Sequence, residues 1–155
     1  MSFVIATFYH FFDYQKFEEQ KQLLKEEMVA RGIKGSILIA PEGLNGTIGG
    51  TRENLDDFLR YLQEVIIGAP MGHKESYSNT LPFGRTKVRL KKETISLGEH
   101  CDLSQVGQYV DPKDWDALTS DPNTIILDTR NDYEVHLGTF KGAIDPNIPT
   151  FKQLM

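Results

Sequence analysis

The order of strand-like and helix-like segments in residues 1–98 is the feature that most constrains this fold. The chain begins with a segment rich in β-branched and aromatic residues, and residues 14–31 then repeat apolar side chains at the spacing of an amphipathic helix. Two apolar segments, a second amphipathic helix and two extended segments follow. The predicted strands before the second helix are Val4–Phe12, Ser36–Ala40 and Leu44–Ile48. The second helix begins at Thr51, and the two extended segments after it are Lys74–Ser78 and Thr86–Leu90.

The order strand, helix, strand, strand, helix, strand predicts an α+β fold, the ferredoxin-like (acylphosphatase-like) split βαβ sandwich. Right-handed crossovers place both helices on one face of a four-stranded antiparallel sheet. Pro41, Glu42 and Gly43 can turn the chain between the two middle strands, and the Asn45-Gly46 pair is an alternative turn. Many functions use this fold, so the fold alone decides none of them.

Composition describes a soluble globular chain. The 155 residues are 39% hydrophobic with a net charge of −5, and the mean hydropathy is −0.37. No run of about 18 apolar residues and no secretory pattern is present, and one cysteine cannot form an intramolecular disulfide. We therefore expect a cytoplasmic protein with no membrane partner. The four histidines are dispersed, which predicts no metal site.

The charge distribution predicts two domains. Residues 1–98 carry 13 Lys/Arg against 12 Asp/Glu, whereas residues 99–155 carry 4 against 10. This change near Gly98 separates a ferredoxin-like domain, 1–98, from a linker and incomplete α/β domain, 99–155. In the second domain Asp111 and Pro112 predict a helix start, and Thr124–Leu127 predicts a buried strand. One such strand cannot complete a parallel sheet, so we expect the chain to stop inside this domain.

The segment after that strand resembles the opening of a rhodanese domain. The resemblance rests on an Asp-x-Arg at the strand end, a Tyr-Glu on the next helix and a Gly-x-Phe-x-Gly-Ala sequence. It implies architectural roles for Asp128, Arg130 and Glu134, and the guanidinium of Arg130 is expected to hold the Glu134 carboxylate. Rhodanese chemistry belongs to a later cysteine, which would lie beyond Met155. Cys101 lies among acidic residues and is interpreted as a linker thiol, so no catalytic residue is assigned.

Both parts taken together resemble the bacterial rhodanese-related tRNA hydroxylases. The ferredoxin-like part contributes the sequence Ala-Pro-Glu-Gly-Leu-Asn-Gly-Thr-Ile at residues 40–48, and the rhodanese-like part contributes residues 128–146. The resemblance covers essentially the whole chain. It implies oxygen-dependent 5-hydroxylation of the wobble uridine of tRNA, with tRNA as partner and molecular oxygen as co-substrate, and no other cofactor is evident. The fragment alone is expected to be inactive.

A basic strand is the main candidate for contact with RNA. Cations alternate with other residues from Arg85 to Lys91, so a strand would place four of them on one face. We call the set of cations Arg85, Lys87, Arg89, Lys91 and Lys92 the basic strand. It contains no acid and carries +5, and such a cluster suits phosphate contact. The alternative is a solvated edge strand that its charges protect from aggregation.

Two smaller groups of residues are further candidates. Glu42, Asn45 and Gly46 form a possible ligand loop, in which backbone amides could bind an anion, although the glycines also suit a tight hairpin. Three aromatic side chains could stack on bases beside the basic strand, and at least two of them are expected in the core: Tyr9, Tyr77 and Phe83.

Three other functions remain open at this point. A rhodanese-type sulfurtransferase, which carries a persulfide, would fit the rhodanese resemblance equally well. A non-catalytic interaction module would fit the absence of catalytic residues. An acylphosphatase-like enzyme would use an Arg and an Asn, but no Arg lies in or beside the segment that carries Asn45.

Overall fold

The structure, a computed structural model, describes residues 2–94, 107–150 and 153. The chain divides into two compact units, Met1–Thr94 and Ile95–Met155. The predicted domain boundary at Gly98 and the thiol of Cys101 lie outside the described residues. Within the described ranges, no helix has the length and apolar character needed to cross a membrane.

The first unit follows the predicted order of elements and adds one strand. Its elements are β1 (Phe3–Phe11), α1 (Phe17–Ala30), β2 (Lys34–Ala40), β3 (Gly43–Gly50), α2 (Arg52–Tyr61), a π-helical segment (Leu62–Ile67), β4 (His73–Ser78) and β5 (Thr86–Leu90). The strands form one sheet in the order β4-β1-β3-β2-β5. The first four strands in that order pair antiparallel, which confirms the ferredoxin-like, acylphosphatase-like arrangement.

The prediction of four antiparallel strands was wrong in number and direction, because β5 pairs parallel with β2. Without β5, strand β2 would be an edge strand with unpaired backbone groups. Backbone bonds at both ends fix the new pair: the Gly35 amide donates to the Arg85 carbonyl, and the Lys91 amide donates to the Ile39 carbonyl, both at 2.9 Å. This pairing joins segments about 50 residues apart, which local sequence patterns do not reveal.

One face of the sheet packs on both helices. Even-numbered residues of β1 and β3 and odd-numbered residues of β2 point toward the helices, and all of them except the half-buried His10 are buried. The buried core of the sheet and helices includes Val4, Ala6, Phe8, Ile37, Ile39, Leu44, Ile48, Val88, Leu24, Met28, Leu55, Phe58 and Leu59. Gly46 leaves room for Phe8, since a Cβ at position 46 would lie 2.8 Å from the Phe8 ring. We call the other side of the sheet the open face.

The hairpin between β2 and β3 turns at Pro41 and Glu42, as the first of the two alternatives predicted. The alternative turn at Asn45-Gly46 is wrong, because both residues lie inside β3. Gly43 begins the strand with φ of 139°, and a Cβ there would lie 2.1 Å from the His10 carbonyl oxygen. A glycine is therefore required where β3 approaches β1.

The second unit contains two short helices, α3 (Pro112–Thr119) and α4 (Asp132–His136). The predicted helix start at Pro112 is confirmed. The predicted strand Thr124–Leu127 is wrong as a strand, since only an isolated parallel bridge joins Leu127 to Ile144. A parallel strand needs neighbours and covered faces. Ile125, at the centre of the predicted strand, is 77% exposed.

Candidate nucleic-acid interface

The basic strand coincides with β5 and the residues beside it. Val88 is 6% exposed and faces the core, and the Thr86 hydroxyl donates to the Ile33 carbonyl oxygen at 2.7 Å. Because side chains alternate along a strand, the intervening cations point to the open face. The register places Lys87 beside Ser36 of β2, and Arg89 beside Leu38. Lys87 and Arg89 therefore share one face of β5, whereas Arg85, Lys91 and Lys92 lie outside the strand. Contact of any of these cations with RNA stays a prediction.

The arginines of the basic strand differ from the other arginines in their partners. Four arginines outside it pair with carboxylates: Arg31 with Glu27 and Asp57, Arg52 with Asp56 and Glu75, Arg60 with Asp57, and Arg130 with Asp128. Among the residues that the structure describes, Arg85 and Arg89 make no ion pair and no side-chain hydrogen bond. A guanidinium group is a planar fork of donors that matches phosphate, so these two side chains are candidates for phosphate contact.

Basic residues flank both edges of the open face, and no acid lies on it within the five strands. One continuous row across the sheet consists of Lys74 (β4), Thr7 (β1), Thr47 (β3), Ser36 (β2) and Lys87 (β5). The centre of the row is polar and neutral, and the Thr7 and Thr47 hydroxyls are 3.2 Å apart in a hydrogen bond. At about 4.8 Å between strands, the two lysines stand about 19 Å apart.

The three aromatic candidates occupy different places. Tyr9 lies on the open face, beside Asn45 of β3, and is 54% exposed. Tyr77 lies on the helix side, where its hydroxyl donates to Glu75 at 3.0 Å and the Arg52 guanidinium lies 5.9 Å from its ring centre. A Cβ on Gly49 would lie 3.3 Å from the Phe83 ring, so Phe83 covers one end of the open face.

The predicted ligand loop is wrong as a loop. Only Glu42 lies at the turn, and its Oε1 accepts hydrogen bonds from the amide and the hydroxyl of Thr94, both at 2.6 Å. Gly46 faces the core under Phe8, whereas Asn45 faces the other way and joins the open face. Glycine and asparagine are common in turns. Here Asn45 and Gly46 lie inside β3 instead, because β3 pairs with β1 and β2 at these residues.

The acylphosphatase-like alternative needs an Arg close to Asn45. Arg89 lies on the same face as Asn45, but Leu38 of β2 stands between the two residues in the register. Two strand spacings separate their backbones, about 10 Å. We find no paired Arg and Asn of that kind among the described residues.

In the second unit, Arg130 pairs with Asp128 and not with Glu134. The guanidinium donates from Nε and Nη2 to the two Asp128 carboxylate oxygens at 2.9 and 2.6 Å, and Nη2 also donates to the Gly138 carbonyl at 2.7 Å. These bonds, with one from the Thr139 hydroxyl, hold the pKa of Asp128 well below its usual range.

The expected Arg130–Glu134 contact is wrong, because Glu134 closes the capping box of α4. Its carboxylate accepts from the backbone amide of Asn131 at 3.2 Å. The Glu134 carboxylate, which was predicted to bind Arg130, therefore caps the start of α4 instead. The described residues hold no group of three His, Cys, Asp or Glu side chains that could bind a metal ion.

The strand order and the two helices on one face of the sheet define the first unit as an acylphosphatase-like α+β domain. Residues 3–94 match the family described as "UPF0176 acylphosphatase like domain". The chain belongs to this family.

A curated relative extends the similarity to both units. The chain is 46% identical over 153 residues to a protein of Sinorhizobium medicae named "tRNA uridine(34) hydroxylase". The alignment covers 97% of this chain and 49% of the relative, so the chain spans about half the length of that protein. The resemblance to tRNA hydroxylases, which the two sequence motifs indicated, is confirmed.

Two solved structures resemble a little over half of the chain. An acylphosphatase from Coxiella burnetii is 11% identical, with a TM-score of 0.43, over 57% of this chain and 93% of its own. The protein BlrP1 of Klebsiella pneumoniae is 16% identical, with a TM-score of 0.47, over 59% of this chain and 24% of its own.

Proposed function

We propose that this chain belongs to a cytoplasmic enzyme that hydroxylates the wobble uridine of tRNA to 5-hydroxyuridine, with molecular oxygen as co-substrate. The relative's name and the match over 97% of the chain support this reaction. In this proposal the first unit binds tRNA through the basic strand. The second unit is the beginning of a rhodanese-like domain.

The unpaired guanidinium groups of Arg85 and Arg89 carry the proposal of tRNA binding. They belong to a protein of net charge −5, yet they lie with Lys87 on a sheet face without acids. Each cation that neutralises a phosphate releases condensed counterions. The entropy of that release favours binding and makes the affinity depend on salt concentration. Acids elsewhere on the molecule would keep RNA phosphates away from other surfaces.

The second unit contributes architecture in this proposal. The Asp128–Arg130 pair fixes the chain after the parallel bridge, and Arg130 ties it to the carbonyl of Gly138. We assign the reacting cysteine to the part of the relative that has no counterpart in this chain, since thiolate chemistry needs a loop that lowers the thiol pKa.

Nucleoside mass spectrometry tests the reaction. Total tRNA from a strain without the gene is compared with tRNA from the same strain complemented with the intact protein. We expect 5-hydroxyuridine to disappear and to return on complementation. Loss of thiolated uridine, with 5-hydroxyuridine unchanged, would instead identify a sulfurtransferase and contradict the proposal.

Binding measurements test the role of the basic strand. In the intact protein, Arg85, Lys87 and Arg89 are replaced together by Ala, and tRNA affinity is measured over a range of salt concentrations. The matched control replaces three exposed lysines of the α1 region, Lys16, Lys21 and Lys25, so that the charge change is the same.

We expect the basic-strand variant to bind tRNA more weakly and to lose about two to three units of salt slope, because each phosphate contact contributes about 0.7 to 0.9. The α1 control should keep the slope. Equal affinity and slope in the basic-strand variant and the wild type would refute tRNA binding by this strand.

A further inference from the structure

We propose that Glu42 is a positioning residue for tRNA binding, because its carboxylate fixes the chain just after β5 through Thr94. In this way an acidic side chain places two cations, Lys91 and Lys92, for contact with phosphate. The inference rests on the proposed tRNA function, and it adds a residue that acts on RNA binding without touching RNA. It also gives a role to the acid of the turn between β2 and β3.

The turn that carries Glu42 is held by backbone bonds to the segment between β1 and α1. The Phe12 amide donates to the Glu42 carbonyl oxygen at 3.0 Å, and the Tyr14 amide donates to the Pro41 carbonyl oxygen at 2.8 Å. The next residue, Gly43, lies too close to β1 for a side chain. The backbone of Glu42 is therefore fixed on both sides, which limits the positions that its carboxylate can reach.

The Glu42 carboxylate binds the chain again at Thr94, 52 residues later. One oxygen, Oε1, accepts hydrogen bonds from both the backbone amide and the hydroxyl of Thr94, each at 2.6 Å. Hydrogen bonds to an ionised acceptor are short and about twice as strong as bonds between neutral groups. Thr94 is 9% exposed, so its two donors are shielded from water. We call this pair the Glu42–Thr94 contact.

Two cations of the basic strand lie between the Glu42–Thr94 contact and the last backbone bond of the β2–β5 pair. That bond runs from the Lys91 amide to the Ile39 carbonyl oxygen at 2.9 Å. Only Lys92 and Glu93 separate it from Thr94, so both ends of this short segment are fixed. The two lysines are exposed. A fixed backbone reduces the conformational entropy that these lysines lose when they bind phosphate.

The charge of Glu42 distinguishes the positioning role from simple electrostatics. A carboxylate repels phosphate, so replacing Glu42 by a neutral residue should strengthen tRNA binding if charge alone matters. If the Glu42–Thr94 contact places the lysines, Glu42→Ala should weaken binding instead. The two explanations therefore predict opposite signs for one substitution.

The experiment measures the tRNA affinity of the intact protein over a range of salt concentrations. Glu42→Ala removes the acceptor and the charge, whereas Glu42→Gln removes the charge and keeps a carbonyl oxygen that can accept both bonds. The matched control is Glu19→Ala, which removes an exposed carboxylate from the first turn of α1. Thr94→Val removes the hydroxyl bond alone, and it replaces Glu42→Ala if that variant does not fold.

We expect Glu42→Ala to weaken tRNA binding about threefold to tenfold and to lower the salt slope by about one unit, because up to two phosphate contacts are lost. Thr94→Val should show a smaller loss in the same direction. Glu42→Gln and Glu19→Ala should bind tRNA at least as tightly as the wild type does. Tighter binding by Glu42→Ala, or the same affinity as Glu19→Ala, would overturn the positioning role.

A double-mutant cycle tests whether Glu42 acts through the two lysines. In a protein with Lys91→Ala and Lys92→Ala, the further substitution Glu42→Ala should produce no additional loss of tRNA affinity, because the groups that Glu42 places are absent. A loss as large as in the wild-type background would show a general effect on the fold and contradict the inference.

Hydrogen exchange tests the Glu42–Thr94 contact without RNA. The amides of residues 91–94 should exchange faster in Glu42→Ala than in the wild type, and Glu42→Gln should exchange as the wild type does. Equal exchange in Glu42→Ala and the wild type would show that the carboxylate does not hold this segment, and the positioning role would be refuted.

The inference and the proposed tRNA binding fail in different ways. If the basic-strand variant loses tRNA affinity while Glu42→Ala binds as Glu19→Ala does, the positioning role is refuted and tRNA binding by the basic strand stands. If neither the basic-strand variant nor Glu42→Ala changes tRNA binding, both are refuted. Because 5-hydroxyuridine is measured separately, either result leaves the proposed reaction independently testable.

Discussion

Tyr14 carries a buried hydroxyl group without a hydrogen-bond partner in the described structure. The residue is 3% exposed, and its ring stacks on Phe12 at a centroid distance of 4.8 Å. Burial, with a smaller contribution from Tyr61, raises the pKa of Tyr14 to about 12. The packing of the Tyr14 ring therefore stabilises the fold, whereas burial of its hydroxyl without a partner lowers that stability.

We predict that Tyr14→Phe leaves the chain as stable as the wild type or up to about 1 kcal/mol more stable, since a buried group without a partner is removed. Urea denaturation gives the free energy of unfolding. Tyr14→Ala is the control and should lose about 3 kcal/mol or more, because the ring contacts are removed.

The pH dependence offers a second readout of the same group. The raised pKa of Tyr14 means that its stabilising neutral form is fully present below pH 10 and is lost as the pH rises toward 12. Tyr14→Phe should show a smaller loss of stability over that range.

The outcome that would contradict the prediction for Tyr14→Phe is measured at neutral pH. A Tyr14→Phe protein destabilised by more than about 1 kcal/mol would show that the hydroxyl has a partner.

At the scale of elements, one cluster joins edge strand β4 to the start of α2. Arg52 of α2 donates to both Glu75 carboxylate oxygens at 2.8 and 2.7 Å, and His73 and Tyr77 also contact that carboxylate. The bonds from Arg52, followed by those of His73 and Tyr77, lower the pKa of Glu75 to about 2. Side-chain bonds therefore hold a strand whose residues are almost all exposed.

We predict that Glu75 makes unfolding depend on pH under acid conditions. Its pKa is lowered in the folded state, so the stabilisation is present above about 4.5 and is lost as the pH falls toward 2. Glu75→Gln should remove this part of the pH dependence and should cost about 1 kcal/mol or less at neutral pH, because the pair is solvated. Denaturation over that pH range provides the measurement.

The control for this prediction is Glu53→Gln, which removes an exposed carboxylate from the same turn of α2. It should leave the acid dependence as in the wild type. If the Glu75→Gln protein lost stability between pH 4.5 and 2 as steeply as the wild type does, the Arg52–Glu75 pair would have no energetic role.

At the scale of the whole molecule, the two units differ in how much apolar surface they bury. The first unit contains the core cluster, whereas Val135 and Ile148 are the buried hydrophobic residues in the described part of the second. Large apolar side chains that remain exposed in the second unit include Ile125, Leu127, Tyr133, Leu137, Phe140 and Ile144. Apolar burial is the main favourable term in folding, so stability should be unequal along the chain.

We predict that brief trypsin treatment of this chain cleaves the second unit first. Cuts after Lys113 and Lys141, both exposed, should precede cuts after Arg60 of α2, and a product close to residues 1–94 should persist. Mass spectrometry of timed samples identifies the order. Simultaneous cleavage at all of these sites would contradict unequal stability.

The strand-forming segments and their alternation could be predicted from local sequence, because side chains on a strand repeat every second residue. That rule predicted which way the cations of β5 point. Applied to β3 as the structure bounds it, the same rule puts Asn45 and Thr47 on the side opposite Gly46. The missed members of the open face, such as Lys74 and Ser36, depend on which strands are neighbours, and neighbours are set by pairing across long distances in the chain.

The sequence by itself determined the α+β class, the order of the first elements, the charge asymmetry and the family motifs. All of these are local or additive properties of the residues. Only the tertiary structure decided that β5 pairs parallel with β2, that Arg130 holds Asp128, and that Tyr9, unlike Tyr77, lies on the face with the cations. These outcomes depend on competition among distant partners for the same backbone and side-chain groups, and that competition is settled only when the chain packs.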